Sequence, residues 1–205
     1  MKGRSTKATP GRPKTLDRDH VLQVAINSYW SQGPTAISLN EICRRAGVSK
    51  PGLYREFAGE DRLKRAALDA YRDNVLTILF QIFDADISFG EAIDALIELT
   101  TQDRAAMDIP MGCLFEQMRG CRKKLSPKTN AAINYTQTTF QARIEDWINR
   151  AKENGQMGAQ ISTPTAAIYG SSQITSAIMM QAEGVGNNQI TEFLEFAFNG
   201  WSRVN

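Results

Sequence analysis

Side chains able to attack a substrate or hold a metal are sparse in this sequence of 205 residues. Cys43, Cys113 and Cys121 are an odd number without C-x-x-C spacing, which argues against a disulfide framework and a structural zinc site. His20 is the one histidine, so neither a Ser-His-Asp relay nor a multi-histidine metal centre has its parts. The acid pairs Asp84/Asp86 and Glu145/Asp146 read as solvated helix ends or faces. No catalytic residue, metal ligand or cofactor is expected. Positive charge is what the sequence concentrates. Residues 1–74 hold 14 Lys+Arg against 8 Asp+Glu, a net +6, and residues 75–205 hold 10 against 14, a net −4. Lys2, Arg4, Lys7, Arg12 and Lys14 stand in the first fourteen residues with no acid among them. A basic N-terminal third suits a polyanion-binding module joined to something else, and a solvated charged tail is the plainer reading.

The elements that must carry these charges read as helices throughout, and the expected fold class is all-α with about nine helices. Leu22, Ala25, Ile26, Tyr29 and Trp30 share one face of a first helix that Gly33-Pro34 ends. Ser38-Leu39-Asn40-Glu41 is a capping-box sequence for a second, and Gly47 stops it. Ser49 caps a third with Leu53 and Phe57 as its buried pair, and Gly59-Glu60-Asp61 opens a fourth that runs to about Phe83. Ser88 to Glu91 is a second capping box. A short helix spans roughly 111–121, and Ser126-Pro127 caps a long one that ends at Asn154-Gly155. Thr163-Pro164 starts the next, closed by Gly184 and Gly186, and a last helix covers about 189–202. No strand or repeat signal competes. Residues 154–182 carry no charge but are rich in Gln, Ser and Thr, so they do not read as a membrane span. With 42% hydrophobic and 22% charged residues and no apolar leader, a soluble, cytoplasmic protein is expected, with no membrane partner.

Residues 38–57 read as helix, tight turn, helix, with Ala46 and Gly47 small enough for a steep crossing and Val48 packing inward beneath it. Lys50, Tyr54 and Arg55 would project from the second helix toward phosphates or base edges, as in a helix-turn-helix seated in the major groove. Arg44 and Arg45 sit on the polar side of the first. Pro10-Gly11-Arg12-Pro13-Lys14 offers an arginine suited to the narrow minor groove, or a tail that adds only non-specific affinity.

The run from Thr35 to Phe57, with Ala46-Gly47-Val48-Ser49 followed by Leu53-Tyr54-Arg55-Glu56-Phe57, resembles the N-terminal domain of the TetR family of transcriptional regulators. The likeness extends from about Gly11 to Tyr71. It implies a two-domain, all-helical homodimer that binds double-stranded operator DNA and a small-molecule effector of unknown identity. The implied division is a basic arm at 1–14, a helix-turn-helix domain at 15–60, and an effector-binding and dimerisation domain at 61–205. By this resemblance Ser49, Gly52, Tyr54 and Arg55 occupy backbone- and base-contacting positions, Lys50 begins the recognition helix, and Pro51 stands where a small residue is more usual. Gly59 and Glu60 depart from the family's polar cap and phosphate-binding lysine, so that contact would be lost or moved to Arg62.

The resemblance also makes the last two helices a dimer interface, with Ala167, Gly170, Ser171 and Ala177 allowing close approach and Phe193, Phe198 and Trp201 to bury. Part of that set would equally serve as monomer core. Gly112-Cys113-Leu114 resembles the branch that includes electrophile-sensing regulators of reductase genes, in which a cysteine at this place is the redox sensor. A sensor needs a thiolate, favoured by a helix N-terminus or a nearby cation, whereas a buried free cysteine acts as a small hydrophobe. Both readings stand for Cys113; Cys43, on an apolar stripe, reads as structural. Met107, Met111, Phe115, Met118, Phe140, Trp147, Tyr169 and Gln173 complete the candidate pocket lining. The expected function is a repressor released from a pseudo-palindromic operator by a small molecule or by cysteine modification. The competing class is a helical ligand-binding protein or enzyme without sequence-specific DNA affinity.

Overall fold

The structure is a computed structural model that describes residues 16–201. Asp17 opens helix α1 (Arg18–Gln32) by accepting from the His20 backbone N–H at 3.1 Å, and its inner face holds Val21, Ala25, Ile26, Tyr29 and Trp30. Helix α2 (Leu39–Ala46) is capped by Ser38, which accepts from the Glu41 N–H. The expected reciprocal bond is replaced: the Glu41 carboxylate turns instead to Arg44 and Arg45, whose charge outcompetes a backbone amide. Gly47, at φ 65°, ends α2 in the left-handed region, and α3 (Lys50–Phe57) starts two residues later under Ser49. Leu53 and Phe57 anchor α3 in the core, packed against α2 and the following helix.

Helix α4 (Glu60–Tyr71) passes through a π-helical segment (Arg72–Leu76) into α5 (Thr77–Asp84). The single helix expected to about Phe83 is therefore one rod with a wider turn inside it. Its buried stripe reads Leu63, Ala67, Tyr71 and then Leu76, Leu79, Phe83. The step of five from Tyr71 to Leu76 is what a π turn accommodates, moving the inward face by one residue. Helix α6 (Phe89–Thr100) carries the full capping box between Ser88 and Glu91. Helix α7 (Leu114–Gly120) is shorter than expected, beginning after Cys113.

Helix α8 (Pro127–Glu153) is the spine, packed on α4, α5, α7 and α9. Ser126 does not cap it through its side chain. Asp61, from the first turn of α4, does so across the fold: one carboxylate oxygen accepts from the Lys128 N–H at 3.0 Å and the other from the Thr129 N–H at 2.9 Å and the Thr129 hydroxyl at 2.6 Å. Ser162, one residue before the expected Thr163, caps α9 (Thr163–Ala182), and α10 (Asn187–Phe198) packs on α9 and α6. Counting the α4–α5 rod once, the described residues form nine α-helical rods, in an all-helical fold without strands. None of the described helices is long and apolar enough to cross a membrane. Asp84, expected as a solvated helix end, pairs with Arg143 of α8.

Candidate nucleic-acid interface and ligand cavity

Because Leu53 and Phe57 turn inward, Lys50, Pro51, Tyr54 and Arg55 of α3 lie on the outer surface. Neither Lys50 nor Arg55 has an ion-pair partner among the described residues. Arg44 and Arg45 differ: both are bound by Glu41, at 2.7 and 2.8 Å, and Arg45 also donates to Ser28 of α1 at 3.2 Å. The two guanidiniums, Arg44 foremost, hold the Glu41 carboxyl down at about 2. Arg45 is thereby tied into the packing of α2 on α1, and α3 presents the unpaired cations. Gly52 is buried, not a surface contact: its N–H goes to Ser49 Oγ, and a Cβ there would stand 3.1 Å from that oxygen. Tyr54 is half-exposed, with one ring edge against Gly59, where a Cβ would lie 3.4 Å from the ring. Gly59, at φ 107°, thus keeps the phenol in place where a side chain would press on it. Glu60 is neutralised by Lys64 at 2.6 Å, and Arg62, two residues on, is exposed. Arg12 and the basic arm lie outside the described residues.

The same helical domain reaches into the larger one through Trp30. Its indole N–H donates to the Gly112 carbonyl at 3.1 Å, its own carbonyl accepts from Gln117 at 2.8 Å, and its ring meets Tyr71 edge-on at 4.8 Å. The Tyr71 hydroxyl in turn donates to Cys113 Sγ at 3.4 Å. Burial pushes the Cys113 thiol up, outweighing the Tyr71 hydrogen bond and the backbone N–H groups that favour a thiolate. The nearby cations do not help. Arg119 is paired with Glu116 at 2.6 Å and Arg122 donates to Asn134. The surroundings of Cys113 thus disfavour the thiolate, and Cys43 is buried as expected.

Three adjoining cavities meet at Cys113 and Ile178. An apolar one of about 310 Å³ lies beneath the π segment, walled by Trp30, Tyr71, Val75, Leu76, Leu79, Ile174 and Ile178, with Met107 and Arg104 also lining it. One of about 380 Å³ includes Phe115 and Phe140, and one of about 600 Å³ includes Met111 and Met179. Of the expected lining, Met107, Met111, Cys113, Phe115 and Phe140 are brought together here. Met118 is fully buried in the core, and Trp147 stacks within an aromatic cluster with Phe83 and Phe89. Tyr169 is spent on the Ala197 carbonyl and Trp201, and Gln173 lines none of the three. Met118 and Trp147 were expected from residue type, but spacing on α7 and α8 turns them to the interior. The π-displaced Leu76 and Leu79 were missed; the five-residue gap after Tyr71 was their signal.

Within the subunit, the expected interface residues lie mostly inward. Ala167 and Ala177 are fully buried, a Cβ on Gly170 would come within 2.7 Å of Trp201, and Phe198 and Trp201 pack together inside the subunit. Ser171 lines a cavity and bonds the Ile168 carbonyl, and Phe193 is half-buried. Small residues allow close helix approach, and here that approach is to α8 and α10 of the same chain. The outer face of α9 and α10 instead exposes Ile168 (61%), Met179 (54%) and Phe196 (85%).

Residues 21–67 match the family described as bacterial regulatory proteins, tetR family. This segment is similar to the N-terminal module of that family. Over 129 residues, 62% of this chain, the sequence is 33% identical to the HTH-type transcriptional repressor ComR of Escherichia coli, and it spans 60% of that protein's length. The fold as a whole is similar to that of reduced NemR from E. coli, with a TM-score of 0.79 and 16% identity over 92% of this chain and 98% of that one. It is also similar to a cysteine mutant of the TetR-family regulator CifR in complex with a 26-bp double-strand operator DNA, with a TM-score of 0.74 and 21% identity over 93% of this chain and all of that one. Identities at this level speak for the fold, which is the TetR-like one.

Proposed function

We propose that this protein is a homodimeric transcriptional repressor of the TetR type, released from a pseudo-palindromic operator when its ligand cavity is filled or Cys113 is modified. The observation that carries this reading is the outer face of α3. An eight-residue helix is capped at Ser49, pinned by Leu53 and Phe57, and carries Lys50, Tyr54 and Arg55 outward without ion pairs to other described residues. Lys50 and Arg55 supply charge to phosphates or guanine edges, and the Tyr54 hydroxyl is suited to a phosphate oxygen. Ser49 retains a hydroxyl proton for the backbone, Pro51 abuts the sugar edge, and Gly52 lets the chain start α3 tightly. Arg12 would follow the minor groove from a basic arm at 1–14. Residues 15–60 form the reading domain and 61–205 the effector and dimer domain. Arg44 is a secondary phosphate contact, whereas Arg45 supports α2.

The apolar outer face of α9 and α10, with Ile168, Met179 and Phe196, suits burial against a second copy. Two α3 helices would then stand about one DNA turn apart, ~34–36 Å. Disturbance at Cys113 reaches the reading domain through Tyr71 and Trp30, and through Asp61, which ties the start of α4 to α8. Release follows only to the extent that the disturbed state prefers a different spacing of the helices. The protein acts by binding, not turnover, in the cytoplasm. Selection of duplexes from a random pool at physiological salt tests the reading. An inverted repeat with half-sites one turn apart is expected, and uniform salt-sensitive binding without a motif, or none, would overturn it.

A further inference from the structure

The apolar cavity beneath the π segment has one charged group and no counter-charge. Arg104 is its sole ionised liner among the described residues; no Asp or Glu contributes to the wall. Among the described residues no carboxylate lies within ion-pairing distance of its guanidinium, in contrast to Arg119 of the neighbouring cavity, which Glu116 neutralises. Both hydrogen bonds of Arg104 leave from Nη1, to the Gly112 carbonyl at 2.9 Å and the Pro110 carbonyl at 3.5 Å. Nε and Nη2 therefore keep their protons without a partner among the described residues, and these are the donors that meet a carboxylate side-on. Beside Asn74, Thr100 and Gln102, the same cavity is lined by Val75, Leu76, Leu79, Leu99, Ile174 and Ile178, which accept hydrocarbon.

We propose that this cavity binds a small anionic amphiphile, a monocarboxylate with an apolar chain or ring, held by Arg104 at its head and by the π-displaced wall along its body. The inference rests on the effector-site reading above and gives it a ligand class. It also supplies the route to the reading domain. The Gly112 carbonyl accepts from both Arg104 and the Trp30 indole, so an anion that draws Arg104 toward itself alters the acceptor that fixes the end of α1.

Octanoate and its neutral isostere octanamide are the probes, titrated calorimetrically into the full chain without DNA, with operator binding measured separately. Octanoate should bind tighter than octanamide by tenfold or more, on the order of what a hydrogen-bonded charge contributes. Arg104→Gln should abolish that preference while Arg104→Lys keeps most of it. Should Arg104→Gln fail to fold by circular dichroism, the octanoate-to-octanamide ratio of the native chain and of Arg104→Lys decides. Equal affinities for the two probes, a preference that survives Arg104→Gln, or no binding of either probe would overturn the assignment. Operator binding without octanoate binding removes the anion site alone; octanoate binding without operator affinity removes the regulator reading and leaves the site.

Discussion

Asp61 offers the sharpest test of how the two helical layers are joined. Replacement by alanine removes three hydrogen bonds at the start of α8 and leaves the fully buried Thr129 hydroxyl with only the Asp61 carbonyl at 3.1 Å. Loss of an N-cap costs about 0.5–2 kcal/mol and a buried polar group short of its partner about 1–3 kcal/mol. The two overlap in Thr129, so about 2–4 kcal/mol is expected, which for a chain of this length lowers Tm on the order of 5–15 °C at fixed protein concentration. Urea unfolding followed by circular dichroism reads the difference directly, and Asp61→Asn, which keeps one acceptor, should lose less. Acid supplies an internal control. Burial works against the Asp61 carboxylate, but the bonds from Thr129 and Lys128 outweigh it and hold its acidity below the usual range. A depressed folded value means the increment is present above the unfolded carboxylate range and fades as pH falls through the folded value. The gap between native protein and Asp61→Ala should therefore narrow in acid. A gap below about 0.5 kcal/mol at neutral pH, the range of ordinary surface substitutions, would refute the cross-layer cap.

Lys50→Ala and Tyr54→Phe should each weaken operator binding with unchanged thermal unfolding, and Lys50→Ala should reduce the salt slope by about one; wild-type affinity in both would displace the contact from α3. Gly170→Ala drives a methyl against Trp201 and should destabilise the chain by about 1–3 kcal/mol, measured by urea midpoint; a neutral result would mean that Trp201 gives way freely. Iodoacetamide should label the less buried Cys121 before Cys113, whose alkylation should rise only at a pH above the usual thiol range, as mass-spectrometric time courses would reveal. Fast labelling of Cys113 at neutral pH would contradict its burial as a thiol.

Local rules within the sequence were enough for most of the framework. Ser38, Ser49 and Ser88 cap where their side chains dictate, Gly47 and Gly33 stop helices that need a left-handed residue, and the turn at 47–49 sets α3 with its cations outward. These outcomes depend on neighbours within one helical turn, so they are legible in order along the chain. Three outcomes depend on residues far apart in sequence. Asp61, not Ser126, caps α8, because the competing acceptor arrives from another helix. The small residues of α9 face Trp201 and α8, because a helix with two apolar sides does not declare which is inner. Arg104 acquires its character only where the chain folds it beside an apolar wall without a carboxylate, a property of the space and not of the residue. The π turn stands between the two kinds: its five-residue gap is written in the sequence, but the cavity it opens exists only because α1, α6 and α9 converge beneath it.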